Sequence, residues 1–125
     1  MRVYLIVILT LAWGVQAQAA SSKPIQWPAT EAIAADCDRA ITNARRAIRK
    51  LELLPLQEVN QKTLLFAWNR FDIQLQDVSN PLYLLSEVSP VPETRKAAEA
   101  CVLKLSALDN EIFQSNALYQ RFRVF

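Results

Sequence analysis

Two cysteines, twelve carboxylates and a run of basic residues are the side chains of this sequence with chemistry to offer. Cys37 and Cys101 both fall on apolar stripes of helical spacing, which leaves two outcomes open. They either join across the core as a disulfide or fill it as two small buried thiols. A C-x-x-C pair is absent, so thiol exchange has no motif to run on. Asp36 with Asp38, and Asp72 with Asp77, are neighbouring carboxylates that invite a metal or acid-base reading. On a helix, residues two apart point in different directions and residues five apart lie off a common face. Both pairs are therefore read as solvated surface carboxylates. The basic residues Arg45, Arg46, Arg49 and Lys50 read as an exposed helix face near the negative end of its dipole, not as a nucleic-acid surface. No catalytic, cofactor-binding or metal-ligating residue is assigned.

What the chain lacks narrows the classes further. Its 125 residues suffice for one small domain and include no histidine. That excludes a Ser-His-Asp or Cys-His relay, an H-E-x-x-H zinc site and a histidine-ligated haem within this chain. The single glycine is Gly14, so phosphate loops that need glycine for close backbone approach are excluded as well. Alone, the chain is expected to be inert as an enzyme.

The elements that position these residues are all helical. Residues 1–19 read as a secretory signal peptide: Arg2 supplies the positive start, Val3 to Val15 the apolar run, and Ala17-Gln18-Ala19 the small-x-small cleavage pattern between Ala19 and Ala20. The apolar run spans about 20 Å as helix, short of a hydrocarbon core of roughly 30 Å, so no stable membrane anchor is expected. The product is expected to be exported, periplasmic or secreted. Losing Arg2 with the signal lowers the net charge from +2 to +1, which favours no nucleic-acid partner. Residues 20–29 form an irregular leader containing Pro24 and Pro28. Residues 30–125 form the helical domain.

Within that domain Thr30 is expected to cap the first helix. Ile33, Cys37, Ile41, Ala44, Ile48 and Leu51 then form one apolar face, and Pro55 follows the end. A second helix is expected from Gln57 to Val78, with Leu64, Trp68, Phe71, Leu75 and Val78 in bundle-like 4-3-4-3 spacing. Ser79-Asn80-Pro81 reads as a stop and restart, followed by a short apolar turn, Leu82 to Leu85. Ser89-Pro90-Val91-Pro92-Glu93 opens a third helix with Ala98, Cys101, Leu105, Leu108 and Ile112 inward. Ser115-Asn116 precedes a final helix, Ala117 to Phe125, carrying Leu118, Phe122 and Phe125. The fold class is all-α: an antiparallel bundle of about three long helices plus short ones. In an up-down-up bundle the first and third helices run parallel, and Cys37 and Cys101 lie within about 3 Å of the same height.

From Trp68 onward the order of signals resembles a known family. Trp68-Asn69-Arg70-Phe71-Asp72 is followed by Asn80-Pro81-Leu82-Tyr83-Leu84-Leu85, then Ser89-Pro90 and Glu93-Thr94-Arg95-Lys96-Ala97-Ala98-Glu99-Ala100. Lys104-Leu105-Ser106, Glu111, Asn116 and Leu118-Tyr119 complete the set. This looks like the N-terminal helical region of the thimet oligopeptidase and oligopeptidase A family of zinc metallopeptidases. Val91-Pro92 departs from the more polar residues expected after the serine-proline. The resemblance implies a helical, two-lobed metalloendopeptidase that hydrolyses short peptides in a deep channel. Its zinc is held by the two histidines of H-E-x-x-H and a distant glutamate, none of which exists here. By resemblance this region helps wall the channel. The final helix, running to Phe125 without a cap and with apolar residues uncovered, suggests a truncated chain. Its expected partner is the missing catalytic domain, or a second copy covering the last helix. The competing expectation is a stand-alone periplasmic helical binding or chaperone-like module.

Overall fold

The computed structural model of the chain describes residues 27–125, so the signal segment and residues 20–26 of the leader lie outside the described residues. Every regular element among the described residues is helical. Three long helices, α1 (Ile33–Glu52), α2 (Phe66–Val88) and α3 (Pro92–Phe113), are followed by a short α4 (Asn116–Arg123).

The α1 stripe from Ile33 to Leu51 is buried along its whole length, and so is the α3 face from Ala98 to Ile112, with Thr94 added at its start. These two faces meet Leu64, Phe71, Leu82 and Leu85 from the second segment and Leu118 from α4 in one apolar core. Trp68 is half-buried at the rim, tilted against Phe71 at 5.4 Å between ring centroids and edge-on to Phe122 at 5.3 Å. Such pairs add to the area each ring buries.

The beginnings of the helices depart from the sequence expectation. Thr30 does not cap α1: residues Thr30–Ala32 form a tight 3₁₀ turn, and the Thr30 hydroxyl shares a hydrogen bond with that of Thr94 on α3. The second helix does not start at Gln57. Leu56–Glu58 is a separate 3₁₀ turn, and Asn60 then caps the chain. Its side-chain oxygen accepts from the backbone N–H groups of Lys62 and Thr63, while Thr63 Oγ1 accepts from Asn60 N–H. This reciprocal cap satisfies donors that a helix start leaves open. One wide π-type turn, Gln61–Leu65, leads into α2.

The expected stop at Ser79-Asn80-Pro81 is also corrected. α2 continues through Pro81 to Val88, so Leu82 to Leu85 is helix, not a turn. A proline inside a helix removes one backbone hydrogen bond and crowds the preceding turn, at a cost of about 3 kcal/mol. Burial of Leu82 and Leu85 beyond it offsets that cost. Ser89 ends α2 in extended backbone, and Arg95 of α3 donates to the Ser89 carbonyl. At the other end α4 closes at Arg123, capped at its start by Ser115, whose oxygen accepts from Leu118 N–H. Phe125 lies outside that helix and is exposed.

Candidate functional site

Cys37 and Cys101 are bridged, with their Cα atoms 5.9 Å apart. The bridge sits in the core between α1 and α3, which run parallel. Lys104 of α3 meets Asp38 of α1 at 2.7 Å. Further along, Arg45 grips Glu111 with two hydrogen bonds of 2.9 and 2.6 Å. At the far end Ser115 Oγ donates to Glu52, and Arg121 Nε donates to the Leu54 carbonyl. The Arg45 contact holds the Glu111 carboxyl below its ordinary range and raises the guanidinium.

The carboxylate pairs singled out in the sequence are not brought together. Asp36 pairs with Arg39 on its own helix, whereas Asp38 goes to Lys104. Asp72 accepts from Gln76 and faces α3, while Asp77 lines a groove beside Pro28, Ile33 and Pro81. A pairing that sequence spacing missed lies between helices. Asp109 of α3 is half-buried, and partial burial followed by the nearby charge of Asp72 raises its pKa above the usual carboxylate value. Each of these aspartates directly follows a buried residue, Phe71 or Leu108, so both flank core stripes that face each other. That was the available signal. Among the described residues no cluster of three or more histidine, cysteine or carboxylate side chains is placed to hold a metal ion.

The basic run of α1 is divided by the helix. Arg45 and Arg49 are engaged with Glu111 and Glu52. Arg46 and Lys50, one turn apart, line a groove against α2 together with Arg70, over Ala47, Leu51, Ala67 and Phe71.

Two apolar areas remain uncovered among the described residues. Phe66, Ile73, Leu84 and Val88 are exposed along one line of α2, since steps of 7, 11 and 4 residues return to nearly the same face. The second area surrounds the Trp68–Phe122 contact. There Phe113, 82% exposed, and Tyr119 border a shallow groove floored by Ile112 and Leu118. No helix of the described residues is long and apolar enough to cross a membrane.

No protein-family model, curated protein or solved structure matches this chain.

Proposed function

We propose that this chain is the N-terminal, non-catalytic portion of an exported thimet oligopeptidase-like zinc metallopeptidase, in which it helps wall the substrate channel. The reading is carried by the ordered residue set from Trp68 to Tyr119, which resembles that family's N-terminal helical region. The two uncovered apolar areas support it, because a wall segment needs a surface on which the rest of an enzyme can pack.

Zinc does not fit the residues present. The chain has no histidine, and Asp36, Asp38, Glu52 and Glu111 are all engaged by basic side chains. Zinc binding and peptide-bond chemistry therefore belong to other parts of the parent enzyme. What these helices contribute is shape: a stiff wall that limits the size of peptide admitted.

The test is the size and activity of the native product in a cell-envelope extract, detected with an antibody against residues 30–115. A species several times larger than the mature chain, with chelator-sensitive activity on short peptides, is the expected result. A folded product of the size of residues 20–125 without such activity would overturn the reading. It would favour the stand-alone binding or chaperone-like module, for which the closed, disulfide-linked core is the supporting observation.

A further inference from the structure

The groove between α1 and α2 collects cations that the fold does not use. Arg46, Lys50 and Arg70 line it, and none of the three forms an ion pair among the described residues. Residues 1–26 contain no aspartate or glutamate, so all of the chain's acidic side chains are already accounted for. Arg46 makes one long contact of 3.3 Å, to Asn43 on its own helix. Like charges four residues apart on a helix repel, and Arg70 brings a third positive charge to the same groove. Beneath these charges Ala47 and Ala67, with the edges of the buried Leu51 and Phe71, form an apolar strip, and Asn43 and Gln74 complete the lining at one end. Ala47 and Ala67 are small and half-buried, which leaves room between the helices.

We infer that this groove docks an acidic helical segment of a protein, with carboxylates on successive turns and a large apolar side chain between them. Arg46 and Lys50 are about 6 Å apart along the α1 axis, which matches carboxylates at i and i+4 of a facing helix. Arg70 closes the opposite wall, so the apolar side chain enters between it and the Arg46–Lys50 row and covers the alanines. A concave groove with an apolar strip and three cations suits such a segment better than a flat anionic bilayer, whose recognition uses about four to eight basic residues. The site would serve whichever larger protein these helices belong to.

The test uses the disulfide-bonded chain and a synthetic amphipathic peptide carrying Glu, Leu and Glu at i, i+3 and i+4 of one face. Binding is read by fluorescence anisotropy at low and high salt. Saturable, salt-sensitive binding is expected, weakened about tenfold by Arg46→Gln with Arg70→Gln and about twofold or less by Lys96→Gln, an exposed cation on α3. Replacing the peptide leucine by serine is also expected to weaken it. Circular dichroism of each variant separates lost binding from lost folding. Equal losses from the Arg46→Gln, Arg70→Gln double variant and from Lys96→Gln, or no saturable binding, would overturn the inference. So would binding to phosphatidylserine vesicles with none to the peptide, which would assign the groove to a lipid surface instead.

Discussion

α1 and α3 are fastened to each other along their length by side chains that specify their partners, whereas α2 is held along its length by packing, with one directional tie at its end. Along the parallel pair, Thr30 meets Thr94, Cys37 meets Cys101, Asp38 meets Lys104 and Arg45 meets Glu111. The sequence offset within these pairs stays at 64 to 66 residues, so every contact reinforces one register. Among the described residues no side-chain hydrogen bond or ion pair joins Phe66–Val88 to another helix; the one directional tie is Arg95 of α3 to the Ser89 carbonyl, just past the end of α2. Its polar side-chain contacts, Gln76 to Asp72 and Ser86 to the Tyr83 carbonyl, stay within α2. Directional contacts fix register, while apolar burial supplies most of the energy and tolerates adjustment. An interior proline is admitted into the helix of the second kind.

The comparison can be broken most severely at the bridge. Replacing Cys37 and Cys101 by serine, or reducing the bridge, is expected to lower stability by about 4 kcal/mol on the chain-entropy model. Urea unfolding with and without reductant measures it. Next in size, Leu82→Ala should cost about 2–5 kcal/mol, because Leu82 is 3% exposed in the core beyond Pro81. A loss well under 1 kcal/mol would mean that the segment after the proline does not pack as helix.

Smaller effects sharpen the contrast. Pro81→Ala should stabilise by about 1 kcal/mol by restoring a backbone donor, partly cancelled by a looser unfolded chain. Thermal melting and amide exchange at residues 77–85 are the readouts. Removing charge from the α1–α3 and α2–α3 seams should act in opposite directions. Glu111 is held below its ordinary pKa, so its contribution is present above that range and is lost as pH falls through the lowered value. Asp109 is raised, so it opposes folding at neutral pH, and that cost disappears as the carboxyl protonates in acid. Glu111→Gln should therefore destabilise slightly near neutrality, and Asp109→Asn should stabilise slightly. Both differences should shrink in acid when melting curves are compared across pH.

The two halves of this comparison were unequally legible in the sequence. The α1 and α3 stripes could be read residue by residue, because each apolar face keeps one phase between clear boundaries. For α2 the punctuation misled. Ser79-Asn80-Pro81 carries every local mark of a helix boundary, yet the 4-3-4-3 phase of Leu64, Trp68, Phe71, Leu75 and Val78 continues unbroken to Leu82, Leu85 and buried Ser89. Long-range burial outweighed the local signal. Asn60 is a weak signal on its own, because its cap depends on Thr63 three residues later, and the separate turn at Leu56–Glu58 places the true start beyond the expected Gln57. Of the surface features, the division of the basic run could have been anticipated from i, i+4 spacing alone. The Asp72–Asp109 encounter and the Arg70 side of the groove required knowing which helix faces meet.

The position of the bridge also governs what happens when the backbone is cut. Cys37 and Cys101 enclose 63 intervening residues, among them all of α2 and the loops on either side of it. A protease that nicks the chain once anywhere in that ring leaves a single covalent molecule, and the severed ends stay close to their former neighbours. Only reduction, or a second cut, releases a piece. Single-nicked protein should migrate as one band without reductant and as two with it, making the ring a safeguard against fragmentation as well as a brace for the fold.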